Sequence, residues 1–318
     1  NDVIKPLTAA GVEISGSVHV EAVADVPYGG PGEVQWVQSV IDDGRSSVKA
    51  IVGSCDLGDE DYDRVTTCLE RLQNASPGTM RGVRWILDHV GTFSEDVKSA
   101  THIGTVRHDI DYLRGNGGSS SSSPVVPSFE KGFALLEDYG WTFDLQCAPV
   151  QLTAAADLIS RHPNVPVVID HLGKPRLLLG EDSTLAEPNA TAIEEWREGM
   201  RAMAQLPNVY VKISMLGYIA PDWIIVEKAE EVIKSLVRET VEMFGPKRCM
   251  MALNWYISPL LSDADGFGTV GPSVLEFVDR LAGWLEDYSD DDLEWIFAKT
   301  AESFYSILAH PTTIKQIS

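Results

Sequence analysis

His19, Glu21, Arg84, Gln146, Asp170, His171, Ser214, Asn254 and Trp255 each stand towards the C-terminal end of a run that reads as a β-strand, or next to it. Imidazole, guanidinium, amide and hydroxyl groups gathered at one mouth could polarise and hold a carbonyl or a carboxylate. Arg84 suits a substrate carboxylate, because its planar fork of N–H groups meets two oxygens at once. An ion pair with one of the chain's many acids is its competing use. Glu21 shares strand parity with His19 and is the best placed spare carboxylate, as base, ligand or partner of a barrel Arg or Lys. His171 has an equally ordinary alternative, a core imidazole bonded to a backbone carbonyl. Tyr218, Trp223, Trp255 and Tyr256 follow the last two strand-like runs, where they could wall a pocket for a ring-shaped substrate or simply pack loops. His89, His102 and His108 fit no metal-ligand spacing and read as surface residues.

The elements that must position these groups alternate along the chain. Strand-like runs are expected at 16–22, 48–53, 81–87, 142–147, 165–171, 209–214 and 248–254. Helical spacing of apolar residues fills most gaps, at 33–42, 62–73, 153–161, 222–244 and 274–287. Strands separated by helices predict a parallel sheet with helical crossovers, and in such folds the carboxyl ends of the strands face one crevice. The segment around 92–128, with Gly115-Asn116-Gly117-Gly118 and serines from Ser119 to Ser123, reads as a flexible surface insert. A second polar loop falls around 176–188. Neither marks a domain boundary, since the alternation resumes after each, so a single domain over 1–318 is expected.

Composition narrows the function mainly by exclusion. The 318 residues carry 47 acidic and 25 basic side chains, a formal net charge of -22, which disfavours nucleic acid and anionic membrane surfaces as partners. A small-molecule substrate and a homo-oligomer remain compatible with that balance. No apolar run is long enough to cross a bilayer. Cys55, Cys68, Cys147 and Cys249 include no CxxC pair, and three of them lie in or beside strand-like runs, which suggests a reducing compartment. No charged segment followed by an apolar one precedes the first strand, and the expectation is a cytoplasmic protein.

The run Ile169-Asp170-His171-Leu172-Gly173-Lys174-Pro175 resembles a strand signature of the amidohydrolase-related family, in the lactonase-like branch of the amidohydrolase superfamily. Further segments match in order: Val18 to Ala22, Arg81 to Arg84, Val209 to Ser214, Arg248 to Trp255, and Ile296 to Tyr305 as the closing helix. The resemblance implies a (β/α)8 TIM barrel and a hydrolase of lactones, related esters or amides, working with one divalent ion (zinc before others) or with none. It gives catalytic positions to His171 and Asn254, with His171 the metal ligand if a metal is bound and otherwise the group that orients the substrate carbonyl. His19, Glu21, Arg84, Gln146, Ser214 and Trp255 become substrate-binding candidates.

Two departures from the pattern stand out. No His-x-His pair occurs near the first strand, and a complete barrel needs eight strands. The first strand is therefore expected upstream of Asn1, or replaced by another segment, or missing from a truncated form. Asn254 also stands where many relatives place an aspartate; an amide cannot take a proton from water, though it can hold water or a substrate oxygen. Two rival readings follow, a non-oxidative decarboxylase on the same fold and a catalytically silent barrel with a binding role.

Overall fold

The computed structural model describes residues 4–22, 30–89, 110–115, 125–176, 178–179, 187–220, 223–253 and 272–307. Seven parallel strands lie side by side in chain order: β1 (Ser17–Val20), β2 (Val48–Ser54), β3 (Met80–Ile86), β4 (Thr142–Gln146), β5 (Val167–Ile169), β6 (Val209–Ile213) and β7 (Cys249–Met251). The described helices are α1 (Ile4–Ala9), α2 (Pro31–Asp42), α3 (Tyr62–Ala75), α4 (Pro127–Tyr139), α5 (Leu152–Ser160), α6 (Ala190–Ala204), α7 (Glu227–Phe244), α8 (Val274–Trp284), α9 (Asp290–Glu294) and α10 (Thr300–Phe304). The described residues form an incomplete (β/α)8 barrel: the parallel crossovers are those the alternation predicts, and the barrel is the one the family resemblance implies.

Register sets the two faces of the sheet. Ile51, Val83, Phe143, Val167, Val209, Val211 and Cys249 point outward into one large apolar cluster with Leu69 and Leu72 of α3, Phe129 and Phe133 of α4, and Trp196 and Met200 of α6. The helices form where their apolar residues recur at helical spacing, and their ends are marked by ordinary caps. Asn189 accepts the Ala192 amide at the start of α6, Ser273 and Glu276 make a reciprocal capping box on α8, and Gly140 closes α4 at φ 62°.

The inner face is different. Its amino-terminal half is a small apolar cluster of Ala50, Val52, Val168 and Met250 with Val18, Val20 and Tyr210, filled by Phe304 and Tyr305 from the C-terminal helical segment. Above it the same strands turn charged. Lys212 of β6 binds Asp144 of β4, and Arg84 of β3 reaches both Glu21 beyond β1 and Asp170 beyond β5. Each of these contacts skips an intervening strand, so the sheet must curl inward.

The segment read as a flexible insert is partly packed. Tyr112, Leu113 and Val125 are buried, with Tyr112 stacked near Phe129 at 5.4 Å, and α4 starts at Pro127. Glycine and serine content masked this, because the anchoring aromatic and aliphatic side chains are few. The serine run from Ser119 to Ser123 lies outside the described residues.

Candidate functional site

Asp170 and His171 leave β5 through four successive residues with left-handed backbone, His171 (φ 53°), Leu172 (φ 56°), Gly173 (φ 72°) and Lys174 (φ 54°). Three of these carry a Cβ, and such a run persists only where the surroundings over-determine it. Here Gly173 donates its amide to the Asp170 carbonyl at 3.0 Å and Lys174 donates to the His171 carbonyl at 2.8 Å. Trp196 of α6 donates its indole N–H to the Leu172 carbonyl at 2.7 Å. A side chain at Gly173 would place its Cβ 2.8 Å from Met200 Sδ, so the turn packs closely on α6 and a larger residue there would have to displace the Met200 side chain. This turn aims the His171 ring back across the strand end.

His171 is buried, with Nδ1 2.9 Å from Ser214 Oγ, at the end of β6, and its ring centroid 5.7 Å from that of Tyr218. Burial, helped by the cations Arg84, Lys174 and Lys212 against the pull of Asp170, lowers its pKa to about 3. The imidazole is therefore neutral near pH 7. It cannot act as a cationic acid at that pH, and it keeps one ring N–H, while the Ser214 hydroxyl can serve Nδ1 as donor or acceptor.

Two ionic groups surround it. In the first, Arg84 donates through Nε to Glu21 Oε1 at 2.9 Å and through Nη1 to Asp170 Oδ2 at 3.3 Å. Lys212 Nζ lies 2.8 Å from Asp170 Oδ1, as a charge contact rather than an aligned hydrogen bond. Lys212 also donates to Asp144, whose carboxylate accepts the Tyr305 hydroxyl at 2.9 Å. Burial opposes the ionised form of Asp170, yet Lys212, His171 and Arg84 outweigh it and bring its pKa to about 2. Asp144 goes the other way, since burial and the neighbouring Asp170 outweigh Lys212 and push its carboxyl up. In the second group Lys174, fully buried, donates to Asp88, and Gln146 donates to the same carboxylate oxygen at 3.0 Å. The Lys174 ammonium lies 5.0 Å from the Tyr218 ring centre, and the Arg176 guanidinium lies 5.6 Å from it.

Arg84, Glu21, Gln146, His171 and Ser214 are thus brought to one end of the barrel. His19 is not among them. Register pairs it with Ile51, on the helix-facing side, and its Nε2 meets Glu33 Oε1 of α2 at 2.7 Å. Glu21 escapes this parity because β1 ends at Val20 and the chain bends inward there. Asn254, Trp255 and Tyr256, with His102 and His108, lie outside the described residues. Trp223 packs on Trp284 at 5.6 Å in the outer core, whereas Tyr218 stands beside His171. His89, expected at the surface, is half-buried, with its amide donated to Gln151 at 2.9 Å and its ring 3.6 Å from Asp111.

Asp88, Asp144, Lys174 and Lys212 were not singled out in the sequence. A usable signal was there, however: Asp144 in Thr-Phe-Asp-Leu-Gln and Lys212 in Val-Tyr-Val-Lys-Ile are opposite charges inside otherwise apolar strands. Such charges must find each other in the interior.

Among the described residues the carboxylates around His171 are each held by a cation, which makes them poor ligands for a divalent ion. Asp170 is held by Arg84 and Lys212, Glu21 by Arg84, and Asp88 by Lys174, while His171 Nδ1 is engaged by Ser214. Among the described residues no three His, Cys, Asp or Glu side chains converge to hold a metal ion. Nor is any described helix long and apolar enough to cross a membrane.

Residues 54–307 match the amidohydrolase family profile. The chain is 27% identical over 266 residues to the uncharacterized protein y4mH of Sinorhizobium fredii, covering 82% of this chain and 75% of that protein. It is 28% identical over 162 residues to an L-fucono-1,5-lactonase of Burkholderia multivorans, covering 49% of this chain and about half of the lactonase, 52%. A crystal structure of an amidohydrolase from Burkholderia multivorans with bound zinc superposes with a TM-score of 0.65 at 22% identity, covering 95% of this chain and 87% of that one. At that identity the likeness speaks for the fold.

Proposed function

The chain belongs to the amidohydrolase family, and from that premise we propose that this hydrolase opens the ring of a lactone, with water adding to the ester carbonyl. The observation that carries the reading is the neutral, buried His171 fixed by Ser214 at the carboxyl end of β5. A neutral imidazole held in one orientation can donate its N–H to a carbonyl oxygen and stabilise the negative charge that grows there as water adds. In this role Ser214 donates its hydroxyl to Nδ1 and the imidazole N–H sits on Nε2, while the strained turn after β5 sets the ring's direction. Arg176 and Lys174, both near the Tyr218 ring, bring positive charge close to His171 for the carboxylate that ring opening creates, with Lys174 shared with Asp88. The lactonase among the relatives supports an ester ring as the reacting group and suggests sugar 1,5-lactones as the first compounds to try.

The test is a panel of such lactones, with ring opening followed by acid release. His171→Ala should lower kcat by roughly 100-fold or more, the usual effect of removing a donor to a developing oxyanion. Turnover by His171→Ala at the parent rate would dismiss the assignment. A folded parent protein that binds lactones without opening them would replace it with a binding role.

A further inference from the structure

Away from the barrel mouth, two cysteines meet between β2 and α3. Cys55 follows the last residue of β2 and is buried in the outer core, while Cys68 sits in the middle of α3 and is partly exposed. Their contacts cross. Cys55 Sγ lies 4.0 Å from the carbonyl oxygen of Val65, one helical turn before Cys68, and Cys68 Sγ lies 3.8 Å from the carbonyl oxygen of Ser54, the residue before Cys55. Each sulfur thus packs against the backbone beside the other cysteine, which brings the two thiols within reach of each other. No proposed step of the hydrolysis uses either.

We propose that Cys55 and Cys68 form an oxidation site at which a hydroperoxide closes the pair into a disulfide. Cys68 attacks first. Its thiolate takes the distal oxygen of the hydroperoxide, the O–O bond breaks, and the leaving alkoxide or hydroxide collects the proton. The sulfur is oxidised to a sulfenic acid and the peroxide is reduced to an alcohol or water. Cys55 then attacks the Cys68 sulfur, the S–O bond breaks, and hydroxide leaves as water with the Cys55 proton. Overall two thiols and one hydroperoxide give one disulfide, one alcohol or water from the peroxide, and one further water.

The division of labour follows from the surroundings. The adjacent Cys55 thiol, together with the Arg71 guanidinium, lowers the Cys68 pKa against the effect of burial, and Cys68 is the sulfur a small peroxide can reach. The adjacent Cys68 and burial push the Cys55 thiol up, which suits a resolving partner that reacts only after Cys68 has changed. Cys147 and Cys249 are buried with thiols pushed up by desolvation, and neither contacts a second sulfur among the described residues. They serve as internal controls.

The experiment treats the folded protein with hydrogen peroxide, blocks the remaining thiols with N-ethylmaleimide, and maps the peptides by mass spectrometry. A Cys55–Cys68 crosslink that forms in the folded state and disappears on adding dithiothreitol is expected, with Cys147 and Cys249 still alkylated. In Cys55→Ser the Cys68 sulfenic acid should accumulate and be trapped by dimedone, and in Cys68→Ser the crosslink is lost and Cys55 stays unlabelled. Cys55→Ala, which keeps the apolar packing, gives the same readout where serine disturbs folding. Oxidation of Cys68 to sulfinic acid as fast in the parent as in Cys55→Ala would overturn the proposal, as would a crosslink seen only in denaturant.

Discussion

The two faces of the sheet are made by the same strands and solve opposite problems. The helix-facing side is apolar through its centre, where Ile51, Val83, Phe143, Val167 and Val211 lie, and His19 at its edge is paired with Glu33 of α2. The inward side is apolar only over its first half and then carries Arg84, Asp144, Asp170 and Lys212, all buried. On the outer face stability comes from area removed from water, which no single residue dominates. On the inner face each charge is tolerable only because a specific opposite charge stands against it. The comparison teaches that burial alone does not rank these positions: equal exposure hides unequal consequences.

The inner face should therefore break first. Lys212→Met leaves Asp144 and Asp170 facing each other with the shared cation gone, and a loss of about 3–5 kcal/mol is expected, read by urea unfolding. A cost below that of a single outer-face methylene would erase the distinction between the faces.

Acid should sharpen it next. His171 has its pKa lowered from 6.5 to about 3, so between these values the unfolded chain binds a proton that the folded chain does not. Stability must then rise with pH across that window, and about 2 kcal/mol should vanish between pH 6.5 and pH 4.5, as the slope approaches 1.36 kcal/mol per unit below the unfolded value. Asp170, lowered to about 2 from 3.8, adds a further loss as pH falls through that lower range. Denaturation midpoints of His171→Asn should flatten the upper part of this slope; a slope unchanged by the substitution would reassign it to other groups.

The smallest effect belongs to the outer face. Ile51→Val removes one methylene from a fully buried position and should cost about 1 kcal/mol with no change in pH dependence. A larger cost, or one that varies with pH, would mean that the outer cluster is coupled to the ionic groups inside.

Much of the barrel was legible because strand and helix periods differ and each apolar run had to find a partner surface. Strand positions follow from Val48–Ser54 and Val209–Ile213, and the site's rim follows from the residues after them. His171 and Ser214 were readable as rim residues on that ground. What failed was side-chain direction near strand ends. His19 and Glu21 share parity on paper, yet His19 faces Glu33 on α2 while Glu21 faces Arg84, because β1 stops at Val20 and parity has no meaning beyond it.

By itself, then, the sequence determined the order of elements, the parallel connectivity and the end of the sheet where polar groups collect. These depend on local periodicity and on short connections, which are written residue by residue. Only the tertiary structure decided which charges neutralise which. Arg84 meets Glu21 and Asp170, and Lys212 meets Asp144, across positions 63, 86 and 68 residues apart in the chain. Those pairings come from the curl of the sheet, and so does the neutral state of His171, a consequence of burial among Lys174 nearby and Arg84 and Lys212 far off in the sequence.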